Sequence, residues 1–463
     1  MPEPIPHDAF RFVRTVGGIE EYRHRGNGLT ALLLPEAAAP VATFMVTYRV
    51  GSRNEGAGLT GATHLLEHLM FKGTERFNRE AGTSVFQVLQ RVGGQINATT
   101  WYDRTNYYAL LPSEHLPLAV EIEADRMRGA RVRDEDLASE RTVVLNELDR
   151  GENEPLRKLL HAVFATAFFA HPYGHPVIGW RSDVETVTAE GLRHFYDTYY
   201  WPSNATASVI GHVDRAAVLD LLDAQFGALP AGPDVGGEGP GAPSPQEAEE
   251  AEPLVHRDPV TQEPPQQGER RVVVRQAGQL GTVLCAWKAP PGLAPDADAL
   301  DVLVQLLSGG KSTRLYRRLT DAGLATHAAA FYPRLRDPGL FALYAMLAPD
   351  VAHETVEAAL REAVAEVVRD GVAAEELARA RRQVVAEEAF GRDGPFAAAS
   401  RLNEAIAVGD WTLFPEYRSR IEAVTAEDIQ AAAARVFDDD RLTVGWYVPV
   451  TGEDGEDAAG EAR

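Results

Sequence analysis

The pattern of apolar and polar residues predicts alternating strands and helices. Two early apolar segments, Gly28 to Pro35 and Val41 to Val50, are rich in β-favouring residues and predict strands. A third, Gln95 to Leu111, follows Gly93-Gly94 and predicts a hairpin. Helical segments are predicted over most of the remaining chain up to position 226, at 61–74, 84–91, 112–127, 134–150, 156–170, 188–200 and 214–226.

The composition changes between Pro230 and Gly268, where Pro, Gly, Glu and Gln dominate and apolar residues are sparse. Such a segment buries too little apolar surface to fold alone, so we predict an exposed linker. Strands are predicted again at 270–275, 282–287, 325–347 and 441–448. Helices are predicted at 296–308, 313–322, 352–369, 374–391, 396–408 and 425–436. The last segment, 451–463, is acidic and predicted to be disordered.

Two segments of the first half recur in the second. The segment ending at Glu190 matches the one ending at Glu427, and Asp134 to Glu147 resembles Ala374 to Glu387. Both pairs are separated by about 240 residues, which indicates a duplicated domain. We therefore predict a first domain at 1–229, a linker at 230–268, a homologous domain without a metal site at 269–450 and a tail at 451–463.

Composition limits the classes of partner. The chain has 463 residues, 45% hydrophobic and 24% charged, which is typical of a globular protein of two or more domains. Its formal charge of −23 argues against nucleic acid or an anionic membrane as a partner. The lone Cys285 excludes a disulfide within the chain. The N-terminal residues have neither a basic region nor an apolar core, so we do not expect a secretory signal, and no apolar run is long enough to span a bilayer. We expect a cytoplasmic protein.

The predicted helical segment at 61–74 carries His64, Glu67 and His68 in the order H-x-x-E-H. On a helix the two histidines lie one turn apart on one face, so both imidazoles can bind one metal ion. Glu67 lies on nearly the same face and can act on a water molecule at the metal. The competing interpretation is a pair of packing histidines on an amphipathic helix. A metal needs at least one more ligand from elsewhere in the chain.

Glu140 and Glu147 are candidates for that ligand, because they lie two turns apart on one helix. Val143, Val144, Leu145 and Leu148 are predicted to pack this helix inward, where a carboxylate is costly unless it binds a cation. Two histidines and one carboxylate around zinc would leave a fourth position open, as in catalytic sites.

These motifs together resemble the inverzincin metallopeptidases of the pitrilysin and mitochondrial processing peptidase family. The resemblance covers nearly the whole chain. It rests on His64 to Thr74, on Glu140 to Glu147, on G-G-x-x-N-A-x-T from Gly93 with D-R-T-x-Y-Y from Asp103, and on His171-Pro-Tyr-Gly174. Length and a single duplication are similar to the shorter, two-domain processing-peptidase branch.

The resemblance implies an α+β fold of two homologous domains, each a mostly antiparallel sheet covered by helices on one side. The two domains would form half of a clamshell chamber. It implies a zinc-dependent endopeptidase that hydrolyses extended or unfolded peptides.

The resemblance also implies the role of each site residue. His64, His68 and Glu147 would bind one Zn²⁺ per chain, and Glu67 would activate the zinc-bound water as general base. Glu140 would support a ligand. The strand Asn97-Ala98-Thr99 would bind the peptide as an added β-strand.

The sequence departs from the family pattern at one place. Family members with a complete site carry an Arg and a Tyr in the second domain, in a string like L-R-E-x-x-G-L-A-Y. The corresponding positions here are Thr320 and Thr326. We therefore predict that a homologous partner subunit supplies these groups in a heterodimer, or else that the chain forms a homodimer. The alternative is a non-catalytic peptide-holding or assembly subunit.

Overall fold

The computed structural model describes residues 5–233 and 260–450. They belong to two compact units, each assembled from three segments of the chain. Within the described residues, unit 1 comprises 5–146, 176–233, Val260 and 390–416, and unit 2 comprises 147–175, 261–389 and 417–450. Most of the predicted linker and the whole predicted tail lie outside the described residues. The domain boundaries given above stay a prediction.

Unit 1 contains a seven-stranded sheet in the order β1-β2-β3-β7-β4-β6-β5. Its pairs are antiparallel except for β3 with β7. The strands are β1 (Phe10–Val16), β2 (Ile19–His24), β3 (Thr30–Pro35), β4 (Val41–Tyr48), β5 (Gln95–Thr100), β6 (Thr105–Pro112) and β7 (Ala205–Gly211).

Unit 2 contains a five-stranded sheet in the order β10-β11-β9-β12-β8. Only β8 and β12 run parallel. The strands are β8 (Arg270–Ala277), β9 (Thr282–Ala289), β10 (Ala325–Phe331), β11 (Gly339–Leu347) and β12 (Leu442–Val450).

The two sheets repeat one topology. The order β3-β7-β4-β6-β5 in unit 1 corresponds strand for strand to β8-β12-β9-β11-β10 in unit 2, and the single parallel pair falls at the same place in each. This agreement confirms the predicted α+β fold of two homologous halves with mostly antiparallel sheets.

Helices follow the predicted periodicity closely, although the short helices 181–186 and 413–423 were not predicted. They are α1 (Ala62–Leu69), α2 (Val85–Arg91), α3 (Leu116–Gly129), α4 (Asp134–Glu152), α5 (Pro155–Ala167), α6 (Arg181–Thr186), α7 (Ala189–Tyr199), α8 (Arg215–Phe226), α9 (Ala297–Ser308), α10 (His353–Asp370), α11 (Ala374–Phe390), α12 (Pro395–Val408), α13 (Leu413–Ala423) and α14 (Ala426–Val436). The helix predicted at 313–322 is shorter in the structure: residues 314–315 are α-helical, and the π-helical segment Tyr316–Thr320 follows and ends in a turn.

Helices cover both faces of the sheet in unit 1. Successive residues of a strand point to opposite faces. Thr47 of β4 donates a hydrogen bond to Asn403 of α12 at 2.7 Å, whereas the ring of its neighbour Tyr48 lies 4.7 Å from that of Tyr200. Seven of the eight residues of β4 are accordingly buried. The prediction of helices on one side only is therefore wrong here, because α12 comes from the second half of the sequence.

Unit 2 shows the equivalent arrangement with α5, which comes from the first half. This helix packs on β8, β9 and β12. It approaches β12 so closely that a Cβ on Gly445 would lie 2.3 Å from a methyl group of Val163. Each compact unit thus includes one helix supplied by the other half of the sequence.

Candidate metal centre

Helix α1 begins at a position that only glycine can occupy. Gly61 has φ +85°, and a Cβ there would lie 2.5 Å from the carbonyl oxygen of Ile178. The carboxylate of Glu55 accepts hydrogen bonds from the backbone N–H groups of Gly61 and Thr63, each 2.8 Å long. These two N–H groups have no partner within the helix, so Glu55 stabilises its first turn.

One face of α1 belongs to the core and the other carries the candidate ligands. Leu65, Leu66 and Leu69 are fully buried. His64, Glu67 and His68 are only partly buried. The two imidazole rings lie 4.9 Å apart between centroids, as their one-turn spacing predicts.

Helix α4 brings carboxylates to this face. Val144 and Leu148 are buried, and they share a helical face with Glu140 and Glu147 because the four positions follow the i, i+4, i+7, i+8 pattern. Val143 is 47% exposed, so the prediction that it packs inward is wrong.

Glu140 contacts one of the candidate ligands directly. Its Oε2 lies 2.8 Å from Nδ1 of His68, and its Oε1 forms an ion pair with Lys72. Burial acts to raise the pKa of Glu140, but the hydrogen bonds from Lys72 and His68 outweigh it, so the pKa lies below its ordinary value. An ionised carboxylate only accepts hydrogen bonds, so Nδ1 of His68 carries the hydrogen and Nε2 is left to bind a metal.

Three donor atoms converge near this carboxylate. One ligand atom from each of His64, His68 and Glu147 lies within 4.8 Å of the other two. Ligand atoms around a tetrahedral zinc are about 3.4 Å apart, given bonds of about 2.1 Å, so small side-chain rotations suffice. Two imidazole nitrogens and one carboxylate oxygen fit zinc. Within residues 5–233 and 260–450 we find no second group of this kind.

Glu67 is held from the side by strand β5. The hydroxyl of Thr100 donates to Oε2 of Glu67 at 2.5 Å. Two buried tyrosines, Tyr107 and Tyr200, lie near this carboxylate, and its charge adds to burial in raising the pKa of each. Their hydroxyls therefore stay neutral, and Glu67 has one oxygen oriented by Thr100.

Asn97, Ala98 and Thr99 lie on β5, which is an edge strand with β6 as its one neighbour. Asn97 and Thr99 are exposed, whereas Ala98 is buried. The Oδ1 atom of Asn97 accepts the backbone N–H of Ala98 at 2.9 Å. An edge of this kind can accept a further strand.

A polar network behind β5 was not predicted from the sequence. The guanidinium of Arg104 donates to the carbonyl of Thr99 at 3.2 Å and to Oδ1 of Asn106 at 2.9 Å. Asn403 of α12 donates to the same Oδ1 at 3.2 Å, and Arg104 also pairs with Glu404. Arg104 stands in the D-R-T-x-Y-Y motif, which was the one available signal. The network connects α12 to the strand that carries Thr99 and Thr100.

Thr320 and Thr326 lie in unit 2, Thr320 at the end of the π-helical segment and Thr326 exposed on β10. Neither side chain offers a positive charge or a phenol. Cys285 is buried in β9. Among the described residues no helix is long and apolar enough to cross a membrane.

Comparisons with family models, related sequences and solved structures agree on one family. The model described as insulinase (peptidase family M16) matches residues 31–180, and the one described as the peptidase M16 inactive domain matches residues 186–384. An uncharacterized zinc protease of Streptomyces coelicolor is 30% identical over 402 residues, which cover 86% of this chain and 82% of that protein. The chain belongs to peptidase family M16.

Two further relatives and a solved structure extend the comparison. The zinc protease PqqE of Helicobacter pylori is 29% identical over 427 residues, 91% of each protein. The probable β subunit of the mitochondrial-processing peptidase of Arabidopsis thaliana is 25% identical over 434 residues, 92% of this chain and 77% of that protein. A crystal structure of a protease from Helicobacter pylori superposes with a TM-score of 0.82 and 26% identity over 93% of this chain and 99% of that one.

The relatives named zinc proteases support a metallopeptidase function for this M16 member, with zinc as its metal. The fold also matches a putative M16-like peptidase from Alicyclobacillus acidocaldarius, with a TM-score of 0.76 and 20% identity over 96% of this chain and all of that one. The resemblance recognised from the motifs is therefore confirmed.

Proposed function

We propose that the protein is a zinc-dependent endopeptidase that cleaves extended or unfolded peptides. The observation that supports this most directly is the convergence of His64, His68 and Glu147, with their ligand atoms within 4.8 Å of one another. His68 is oriented by Glu140, which is the supporting arrangement expected around a metal ligand. One zinc per chain would be bound by these three residues.

When bound by these residues, zinc would lower the pKa of a water molecule and polarise a peptide carbonyl. Glu67 is the general base: its carboxylate takes a proton from the attacking water and passes it to the leaving amine. Thr100 donates a hydrogen bond to Oε2 of Glu67, which orients the carboxylate that carries the proton. The base is thus presented in one orientation.

Substrate would bind along β5, with Asn97, Ala98 and Thr99 forming main-chain hydrogen bonds to the peptide. Main-chain recognition explains a preference for extended peptides, because a folded protein rarely offers a free strand. The N–H of Ala98 currently donates to the side chain of Asn97. An incoming peptide carbonyl would replace that side chain.

The oxyanion of the transition state needs donors that Thr320 and Thr326 do not offer in a charged or phenolic form. We propose that a homologous subunit supplies an Arg and a Tyr as these donors. In a homodimer, the second copy of this chain would instead supply donors of another kind. The competing function, a non-catalytic peptide-holding subunit, is favoured by the same two threonines. It is disfavoured by the presence of Glu67 beside a complete ligand set. A cytoplasmic location stays a prediction.

Metal analysis and peptide hydrolysis test this function together. The purified protein is expected to contain about one zinc per chain, which His64→Ala removes. Glu67→Gln should keep the zinc and lose cleavage of a quenched fluorescent peptide, alone and with the partner that co-purifies from the native source. Normal cleavage by Glu67→Gln would show that the base is assigned wrongly. Zinc binding without cleavage under either condition would favour the peptide-holding subunit.

A further inference from the structure

Glu140 is held by two groups at once. His68 occupies Oε2 and the ammonium group of Lys72 occupies Oε1. The side chain of Glu140 is only 12% exposed. A carboxylate with so little access to water needs close partners for both oxygens, and a charged donor is the strongest of these.

The backbone directs Lys72 toward Glu140. The lysine follows α1 by three residues, and its N–H donates to the carbonyl of Leu69 at 2.9 Å. Gly73 comes next with φ +112°, and a Cβ there would lie 2.2 Å from the carbonyl oxygen of Phe77. Gly73 also pairs with Asn78 in an isolated β-bridge. Contacts before and after Lys72 restrict the backbone at this turn. The main chain therefore fixes the direction in which the Lys72 side chain leaves it.

The ion pair restricts how Glu140 can rotate. A carboxylate that contacted only His68 could turn about its last torsion, since this torsion is broad. Lys72 pulls on the second oxygen and leaves Oε2 aligned with Nδ1 of His68. The imidazole of His68 is then fixed in the orientation that directs Nε2 toward the donor atoms of His64 and Glu147, where a metal would bind.

We propose that Lys72 is a positioning residue of the metal centre, which fixes His68 for metal binding by clamping Glu140. This inference rests on the proposed function, because it assumes that His68 is a ligand. It differs from two simpler roles of a lysine at this place, a substrate contact and an exposed ion pair without consequence. Neither simpler role predicts a change in zinc binding without peptide.

The test uses the zinc-loaded full chain and no substrate. Zinc dissociation is followed with a chromophoric chelator for wild type, Lys72→Met, Lys72→Arg and the matched control Lys311→Met, which replaces an exposed lysine of unit 2. Loss of an outer-shell partner typically costs about 10- to 100-fold in metal affinity, so Lys72→Met should release zinc faster by that order. Lys72→Arg should recover most of the effect, and Lys311→Met should match wild type.

A double-mutant cycle shows whether Lys72 acts through Glu140. In the Glu140→Gln background, adding Lys72→Met should change zinc release less than about twofold, because the clamp is already absent. An equal effect in both backgrounds would overturn the proposal, as would wild-type release from Lys72→Met. Thermal unfolding of the metal-free proteins distinguishes a folding defect from a loss of zinc affinity. If Lys72→Arg restores the melting temperature but not the zinc release rate, the role of Lys72 is structural and the proposal fails.

Failure of this inference is distinguishable from failure of the proposed function. If His64→Ala abolishes zinc binding and Lys72→Met leaves the release rate unchanged, the zinc site stands and the clamp is refuted. If the wild-type chain takes up no zinc, the proposed function itself fails.

Discussion

The hydroxyl of Thr100 donates a hydrogen bond to Oε2 of Glu67 at 2.5 Å, and the two residues are 33 positions apart in the sequence. The two residues lie on different elements, Thr100 at the end of β5 and Glu67 on α1. The strand proposed to bind the peptide therefore also orients the proposed base. Substrate backbone and carboxylate are held in a fixed relation by adjacent residues of one strand.

Removing this hydroxyl should slow the chemical step. Thr100→Val is expected to lower kcat by about 10- to 100-fold with KM within about twofold, because general-base positioning matters in the transition state and not in peptide binding. Thr100→Ser should recover most of the rate. Steady-state hydrolysis of a quenched peptide measures both constants.

Two controls accompany that measurement. Thr43→Val makes the same change in the same sheet at a hydroxyl with no acceptor among the described residues, so it should keep the wild-type kcat. In a Glu67→Gln background, Thr100→Val should leave the dissociation constant of an uncleaved peptide unchanged. A large rise in that constant would assign Thr100 to substrate binding instead.

The turn after Lys72 should not accept a side chain. Gly73→Ala is expected to destabilise the metal-free protein by about 3 kcal/mol, because its Cβ would lie 2.2 Å from the Phe77 carbonyl oxygen at a φ of +112°. Gly82 also has positive φ, +67°, but open space around it. Gly82→Ala should cost only about 1 kcal/mol. Urea denaturation midpoints compare the two, and equal shifts would refute the steric argument.

His161 should make stability depend on pH. Burial, followed by the charges of Arg157 and Lys158, lowers its pKa from 6.5 to about 4. A group with a depressed pKa in the folded state contributes stability that is complete above pH 6.5 and is lost as the pH falls through 4. The stability difference between wild type and His161→Gln should therefore shrink by up to roughly 3 kcal/mol from pH 7 to pH 4.

Denaturation of the metal-free proteins at several pH values measures this difference. His194→Gln changes an exposed histidine and serves as the control. A difference between wild type and His161→Gln that stays constant over this range would show that His161 is not the titrating group.

The first half of the sequence should not fold as an independent domain. Unit 1 includes Phe390–Glu416, and α12 within that segment covers β4 and β7. A fragment of residues 1–229 would leave this face of the sheet exposed to water, at about 25 cal/mol for each Å² of apolar surface. We expect it to bind a hydrophobic dye and to be cut rapidly by protease, and co-expression with residues 261–463 to restore protection. A protease-resistant, zinc-binding fragment 1–229 would support the predicted domain boundary instead.

Some parts of the site were predictable because they depend on local spacing. His64, Glu67 and His68 lie within five positions of one helix, and Glu140 and Glu147 share a face by their seven-residue separation. Lys72 and Thr100 stood inside the recognised motifs but had no assignable role, since a motif does not state which atoms meet. Asn403 had no signal at all, because it contacts Asn106 from 297 residues away.

The sequence by itself determined the elements, the duplication, the family and the histidines and glutamates of the candidate metal centre. Helical and strand periods arise from local backbone geometry, so they can be inferred from adjacent residues. Only the tertiary structure showed that Lys72 and His68 each contact one carboxylate oxygen of Glu140, and that Thr100 donates a hydrogen bond to Glu67. It also showed that α5 and α12 each pack on the sheet formed by the other half of the sequence. These contacts join residues distant along the chain, and their geometry depends on how whole elements pack.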